Sequence, residues 1–216
     1  MKKFLFLFAA ITTLQQANAQ SFEKSSIVIS ACYSFDYNNL SQQVNQYNIP
    51  NSLQSLSSKA ISGSWNFEGE FGLFKWLGLG AQFKLDNYTT STNPTTGVRA
   101  TAAGFETGIT ANLHLIRNDH FNLFLGTDVG YSQLTYSTND GFNDQVSGNG
   151  SWIDFHATTR FYFSRFGLNF TAYIPETNYE NLSSSSSHWK SGEDILASWK
   201  GTGGGVSAGI QYRIIN

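Results

Sequence analysis

The stretch Ala60-Ile61-Ser62-Gly63-Ser64-Trp65-Asn66-Phe67-Glu68-Gly69-Glu70-Phe71 decides the fold of this chain, because its residues alternate strictly between two chemical classes. Apolar and small residues occupy the odd positions from 61 to 71, whereas serine, asparagine and glutamate occupy the even positions. A period of two residues is that of a β-strand. The stretch therefore predicts a strand with one apolar and one polar face, which suits a strand that separates lipid from a polar interior.

The same alternation recurs in seven other segments, so we predict eight strands. Their predicted bounds are residues 26–36, 60–71, 76–88, 101–115, 121–133, 152–164, 166–174 and 204–215. Each segment is close to the roughly 10 residues that a tilted strand needs to cross the hydrocarbon core. Phe124 is an exception, since it interrupts the polar face of the fifth segment.

The connections between these segments alternate in length. Short turns are predicted at residues 72–75, 116–120 and 164–165, and long loops at residues 37–59, 87–100, 134–151 and 175–203. Short periplasmic turns and long outer loops are typical of outer-membrane barrels. We therefore predict an all-β fold, an eight-stranded antiparallel up-and-down transmembrane β-barrel.

A soluble barrel of the lipocalin type is the alternative, and it would turn the apolar faces inward around a small ligand. Charges of both signs and glycines on the polar faces favour a packed polar interior. Aromatic residues near the strand ends favour two membrane-interface girdles. The periplasmic girdle would contain Phe71, Trp76, Phe121, Phe163, Phe166 and Tyr212, and the outer one Tyr33, Phe35, Tyr131 and Trp152.

The first residues predict export. Lys2 and Lys3 precede the apolar run 4–11, and the small residues Ala17-Asn18-Ala19 follow, which is the pattern of a cleaved signal peptide. We predict a signal peptide at residues 1–19, Sec-dependent export, and a barrel domain at residues 20–216 in the outer membrane. Loss of the two lysines leaves 11 basic against 15 acidic side chains, so no nucleic-acid partner is expected. The single cysteine, Cys32, forms no intrachain disulfide and is expected to be buried.

The sequence Lys75-Trp76-Leu77-Gly78-Leu79-Gly80, together with the signal peptide and the eight alternating strands, resembles the small outer membrane protein β-barrel domain family. The resemblance covers nearly the whole mature chain. It implies residence in the outer membrane and little about activity. The chain ends in Asn216, whereas many such barrels end in an aromatic residue.

The polar faces predict a network of charged side chains in the barrel interior. The predicted members are Glu68, Glu70, Lys84, Asp128, Asp154, His156, Arg160 and Arg213, with Asp36, Asp86, Glu106 and His114 on the same faces. Buried charges persist when they are paired. We expect Lys84 and Arg213 to neutralise acids such as Glu68 and Glu70, and Arg160 to meet Asp128 or Asp154.

An enzymatic alternative depends on histidine. Certain small outer-membrane barrels modify lipid A with a histidine, a serine and an acid, and this chain has Asp154 and His156 on one face and His188 after serines 183–187. The linear sequence places no hydroxyl, base and orienting acid together, as nucleophilic catalysis would require. We therefore expect no enzymatic activity, no catalytic residue and no cofactor. Residues 139–144 offer oxygen atoms to calcium but lack the spacing of a calcium loop, so a turn is predicted and no metal site.

Surface interaction is the remaining function class. The predicted long loops contain the apolar residues Tyr47, Ile49, Leu53, Leu56, Trp189, Ile195, Leu196 and Trp199, of which some could fold over the rim as a short helix at residues 194–199. We predict a monomeric, non-enzymatic barrel with a structural or surface-interaction role and a polar, mostly plugged interior. Its surroundings would be phospholipid and lipopolysaccharide, with an envelope or extracellular protein as a further partner. A narrow pore for small solutes is the alternative.

Overall fold

The computed structural model describes residues 22–45, 53–90, 100–138, 145–184 and 195–214. These residues form eight antiparallel strands that close into one barrel in chain order. The strands are β1 (Ile27–Asn45), β2 (Leu53–Phe74), β3 (Leu77–Thr90), β4 (Ala100–Asn118), β5 (Phe121–Thr138), β6 (Gln145–Phe163), β7 (Phe166–Ser184) and β8 (Ile195–Ile214). The predicted eight-stranded up-and-down barrel is confirmed. Within the described part of the chain, no helix has the length and apolarity required to span a membrane.

The strand register fixes the slant of the barrel. A path along directly paired residues leaves β1 at Ser30, crosses every strand once and returns to β1 at Leu40, ten residues further on. The intermediate residues are Glu68, Gln82, Gly108, Gly130, Trp152, Thr177 and Gly201. Such a stagger requires the strands to tilt by roughly 40° from the barrel axis. In an eight-stranded barrel it leaves an interior that side chains can fill.

The strands are longer at their outer ends than the alternation predicts. β1 continues to Asn45 and β7 to Ser184, and β8 begins at Ile195, so parts of all four predicted long loops are strand. The predicted short helix at residues 194–199 is wrong, because Ile195 onward is strand. The three short turns are confirmed. Those at Lys75-Trp76 and Asp119-His120 are tighter than predicted, and the third is at Ser164-Arg165 as predicted. In the last of these turns Ser164 has a φ of 66°.

The lower part of the barrel, from the short turns to about Tyr131 on β5, carries apolar side chains on its outside. Examples of exposed apolar residues are Ile109 at 65%, Phe155 at 60% and Ile174 at 65%. About ten residues of each strand belong to this belt, which at ~3.3 Å per residue and ~40° tilt spans ~25 Å, the height of the apolar band on membrane barrels. The apolar faces therefore point to lipid, which excludes the lipocalin-like alternative.

One member of the predicted girdles is misplaced. Phe71, Trp76, Phe163, Phe166, Tyr33, Phe35 and Tyr131 are exposed on the outside, whereas Trp152 is only 5% exposed. Trp152 shares the inward register of Asp154 and His156, two and four residues later on β6. Its indole N–H donates to the backbone oxygen of Tyr131 at 3.2 Å. Trp152 therefore lies in the barrel interior and does not belong to the outer aromatic girdle.

The upper part of the barrel, above this belt, has the opposite polarity. Its outward side chains are polar and exposed, as in Gln133 of β5, Asn149 of β6 and Glu176 of β7. Its inward side chains form an apolar cluster: Leu40, Ala60, Tyr88, Ala102, Leu134, Val146, Tyr179, Leu182 and Trp199. We call this set the outer cluster. The barrel thus has a section adapted to lipid and a section adapted to water.

Candidate functional site in the barrel interior

Inward-facing positions of all eight strands build the interior of the lower part. Because successive residues of a strand point to opposite sides, each strand contributes every second residue. The contacts among these residues form three adjoining groups around Arg160, Lys84 and His156. Every residue of the predicted interior network lies on an inward face of this part of the barrel.

The Arg160 group joins β2, β4, β5 and β6. Arg160 pairs through Nη1 with Oε2 of Glu70, and its Nη2 lies 3.4 Å from Oε1 of Glu68. Its guanidinium stacks 4.3 Å from the ring centroid of Phe124. Phe124, which interrupts the polar face in the sequence, thus provides a surface for this cation. Oε1 of Glu70 accepts hydrogen bonds from Asn112 Nδ2 and His114 Nε2, both at 2.9 Å.

The Lys84 group lies above it and joins β2, β3 and β4. Lys84 Nζ is 3.5 Å from Oδ1 of Asp86 and 3.3 Å from Oε2 of Glu106. Ser64 donates its hydroxyl to the same Asp86 oxygen. Nearby, Asp36 on β1 accepts hydrogen bonds from Ser62 and Tyr173. A single lysine therefore lies between two buried carboxylates.

The His156 group lies between β5 and β6. Nδ1 of His156 is 3.2 Å from Oδ2 of Asp128 and 3.2 Å from Oδ1 of Asp154. Nε2 of His156 is 3.0 Å from Oδ1 of Asn112. Asn112 is oriented by the carboxylates that its Nδ2 contacts, so its oxygen faces His156 and Nε2 is the donor. One ring nitrogen therefore faces a fixed acceptor, and the other faces two carboxylates.

The pairing inferred from the sequence is wrong for two cations. Lys84 contacts Asp86 and Glu106 instead of Glu68 and Glu70, and Arg160 contacts Glu68 and Glu70 instead of Asp128 or Asp154. Alternation determines the face of a side chain, but the neighbour across the lumen depends on barrel closure and stagger. Arg213 lies near the periplasmic end, where it donates to the backbone oxygen of Ser164 at 3.3 Å and lies 4.8 Å from the ring centroid of Tyr162.

The residues before β1 close in under the periplasmic end, which the sequence reading missed. Phe22 is 2% exposed, and its ring stacks on His114 with centroids 3.6 Å apart. A turn holds this segment in place: Ser25, with a φ of 69°, donates its N–H to the Gly72 oxygen at 2.7 Å, and the Gly72 N–H donates to Ser26 at 2.8 Å. A Cβ on residue 72 would meet the Glu23 carbonyl, so glycine permits this close approach.

The outer cluster lies at the opposite end of the lumen. Trp199, which is 1% exposed, has Tyr88, Tyr179 and Tyr136 around its ring at centroid distances of 5.4, 5.6 and 6.2 Å. Trp199 was expected in an exposed loop, and that expectation is wrong. A sequence signal exists for the cluster: apolar residues move from odd to even positions at the outer end of β5, as in Leu134 and Tyr136.

The residues that suggested an enzyme are only partly described. His156 lies level with the lipid-facing Phe155, far from the outer rim, and its contacts are carboxylates and an amide. The hydroxyl of Thr158, two residues later, lies 2.9 Å from that of Thr171. Among the described residues, the ring nitrogens of His156 therefore contact no hydroxyl or thiol. Ser183 and Ser184 belong to β7, whereas His188 and residues 185–187 lie outside the described residues. The stretch 139–144 and residues Tyr47, Ile49 and Trp189 also lie outside them.

Comparisons with known proteins agree with this architecture. No family model and no curated protein matches the chain. Among solved structures, the outer membrane protein OprG from Pseudomonas aeruginosa is similar with a TM-score of 0.60 and 8% identity, over 92% of this chain and 100% of that chain. The outer membrane protease OmpT from Escherichia coli gives 0.56 and 8%, over 93% and 100%. The outer membrane protein AlkL gives 0.56 and 10%, over 93% and 95%.

At such identities the likeness concerns the fold. It agrees with the two features on which membrane insertion depends, the closure of the sheet and the apolar belt around it. The resemblance inferred from the alternation and from residues 75–80 is confirmed at that level. By its fold, this chain is an eight-stranded outer-membrane β-barrel protein.

Proposed function

We propose that the protein is a monomeric, non-enzymatic barrel with a closed lumen and a structural or surface-interaction role in the outer membrane. The observation that carries the proposal is the succession of buried side chains along the barrel axis. Phe22 and His114 lie at the periplasmic end, the ion-paired groups of Arg160 and Lys84 in the middle, and the outer cluster at the far end. A solute would have to displace each layer in turn.

The space left between these layers supports the same conclusion. The lumen cavity among Glu68, Lys84, Asp128, His156 and Tyr173 has a volume of about 30 Å³. A buried water requires ~10–15 Å³ by this measure, so the cavity suits one to three waters and no hydrated solute. Polar side chains line this cavity, and among them Lys84 and Glu68 belong to ion pairs that would have to separate for an ion to pass.

Planar-bilayer recording tests the closed lumen. Purified protein inserted into the bilayer should give no steady conductance, while a known porin in the same bilayer provides the positive control. Folding of the sample is verified beforehand by a difference in gel mobility between unboiled and boiled protein. A large and steady conductance of the inserted protein would refute the closed lumen and favour the narrow pore.

The upper part of the barrel supports the surface-interaction role. Its outward wall on β5, β6 and β7 forms a shallow polar groove that includes Gln133, Asn149, Asn178 and Glu180. Polar outward side chains are unsuited to lipid, so this wall projects beyond the bilayer. Rigid strands that project in this way can present a binding surface to an envelope or extracellular protein. Phospholipid and lipopolysaccharide would surround the apolar belt below.

A wall variant tests this role. Substitution of Gln133, Asn149 and Asn178 with alanine removes polar groups from the groove without altering the lumen. A matched variant changes Asn39 and Lys59, which are exposed on the wall of β1 and β2. We expect loss of cell adhesion or increased envelope permeability in the groove variant alone. Unchanged adhesion and permeability in both variants would count against an interaction through this groove.

A further inference from the structure

The His156 group holds two carboxylates in an arrangement that is unfavourable without a cation between them. Asp128 and Asp154 are directly opposite each other on β5 and β6, and both point into the lumen. Like charges at directly opposed positions destabilise a strand pair. Both residues are more than nine-tenths buried, with exposed fractions of 6% and 8%. Burial strengthens the repulsion, because the local dielectric constant is low.

The lysine and the two arginines of the described lumen are engaged elsewhere, with Arg213 near the periplasmic end beside Ser164 and Tyr162. Lys84 pairs with Asp86 and Glu106, and Arg160 pairs with Glu68 and Glu70. In addition, Oδ1 of Asp128 is buried and has no hydrogen-bond donor among the described residues. Such an oxygen is destabilising by about 1–3 kcal/mol, and other lumen oxygens, including Oδ2 of Asp86 and Oε1 of Glu106, share this property. The Asp128 carboxylate therefore offers a free ligand atom to the cavity that it lines.

The donor atoms lie close enough together to bind one metal ion. One donor atom each from Asp128, Asp154 and His156 lie within 4.8 Å of one another, and the two nitrogen-to-oxygen distances are 3.2 Å. Donors at ~2.1 Å from one ion, in tetrahedral or octahedral positions, lie ~3.0–3.4 Å apart. The adjoining cavity of about 30 Å³ has space for a metal-bound water.

Asn112 supplies the hydrogen-bond acceptor that a metal-binding histidine requires for its second ring nitrogen. A metal-binding histidine usually donates its other ring N–H to an acceptor, which fixes the ring orientation. Nε2 of His156 donates to Oδ1 of Asn112 at 3.0 Å, and Nδ1 is thereby directed at the two carboxylates. Gly126, opposite His156, leaves room for this arrangement, because a Cβ there would meet both Asn112 and the imidazole.

We propose that Asp128, Asp154 and His156 form a binding site for a divalent transition-metal ion of the Zn²⁺ type, with water in the remaining position. The imidazole nitrogen favours such an ion over Ca²⁺ or Mg²⁺, which prefer oxygen ligands alone. The ion would lie between β5 and β6 at the height of the lipid belt and would neutralise the opposed carboxylates. This site goes beyond the structural role proposed above and does not depend on it.

Metal analysis of the refolded protein tests the site. The full chain is refolded into detergent micelles from metal-free denaturant, with Zn²⁺ either present during refolding or added afterwards, and is then dialysed against metal-free buffer. We expect about one equivalent of zinc per chain by mass spectrometry, at least from the first route. Co²⁺ in place of Zn²⁺ should give visible ligand-field bands, and a hundredfold excess of Ca²⁺ should not displace either ion.

Matched variants locate the ion. Asp128→Asn and His156→Gln should each weaken zinc binding by about 100-fold or more, because they remove direct ligands. Asp36→Asn removes another buried lumen carboxylate and should bind zinc as the original chain does. Each variant is checked for folding by its gel mobility before boiling, and Asp154→Asn replaces any variant that fails. Failure of the original chain to retain zinc by both routes, or equal retention by the ligand variants, would overturn the proposal.

Discussion

Replacement of Arg160 by methionine should destabilise the barrel far more than loss of an exposed ion pair. The Arg160 side chain is 1% exposed, and those of its partners Glu70 and Glu68 are 0% and 19% exposed. Removing one partner of a buried pair leaves an uncompensated charge, which typically costs about 3–5 kcal/mol. Glu68 can regain some water, and Asn112 and His114 still donate to Oε1 of Glu70. The lower end of that range, about 3 kcal/mol, is therefore expected.

The chain provides a matched control on its outer wall. Lys200 on β8 pairs with Glu176 on β7 at 2.6 Å, but these side chains are 53% and 48% exposed. Solvent screens such a pair, so Lys200→Met should reduce the free energy of unfolding by about 1 kcal/mol or less. Both variants replace a long cation with methionine, and they differ in burial and in the number of carboxylates contacted.

Urea titration of the protein in lipid vesicles, followed by tryptophan fluorescence, measures the loss of unfolding free energy in each of the two variants. The double variant Arg160→Met with Glu70→Gln should recover part of the loss, because the second change removes the stranded carboxylate. In double-mutant cycles, residues in contact typically show coupling free energies of about 0.5–3 kcal/mol. The Arg160–Glu70 pair would not be a strong buried interaction if Arg160→Met loses no more stability than Lys200→Met, or if the changes at 160 and 70 are simply additive.

Three further changes probe the rest of the barrel. Ile109→Lys, at mid-height of the lipid belt, should reduce the free energy of unfolding in vesicles by about 2–4 kcal/mol, whereas Gln133→Lys on the polar wall should leave it nearly unchanged; equal effects would mean that the belt is misplaced. Trp199→Ala should lose about 3–5 kcal/mol in the same urea titration, since it empties the centre of the outer cluster; a loss below 1 kcal/mol would argue against a packed cluster. Phe22→Ala should make His114 accessible from the periplasmic side, seen as faster modification by diethyl pyrocarbonate; unchanged modification would show that Phe22 does not cover it.

The fold could be predicted from the sequence because the lower part of every strand follows a single rule. Trp65, Phe67 and Phe71 alternate with Ser64, Glu68 and Glu70, and the structure places these two sets outside and inside the barrel. The predicted strands stop where this rule changes. Along β5, the apolar residues change from odd positions, such as Tyr131, to even positions, such as Leu134. Beyond this point the outward face of the strand meets water, and its inward face contributes to the outer cluster. That change of phase was interpreted as a loop.

The candidate site could be predicted only as a set of residues. The alternation assigns Lys84, Arg160 and His156 to the inward faces, where the structure has them. Their partners depend on the ten-residue stagger of the closed barrel, which no single strand contains. Phe22 was missed for a related reason. It lies outside the alternating segments, and its burial depends on a turn at Ser25 that is hydrogen-bonded to Gly72, near the C-terminal end of β2.

The opposite polarities of the two barrel sections also fix the depth of the barrel in the membrane in both directions. Movement of the barrel toward the periplasm would bring Gln133, Asn149 and Glu176 into the hydrocarbon core. Movement toward the cell exterior would expose Ile109 and Phe155 to water. Polar side chains become more destabilising as they approach the bilayer centre, so vertical displacement is resisted from both sides. The depth of the protein in its membrane is therefore determined by the position along each strand at which the apolar residues change from the outward face to the inward face.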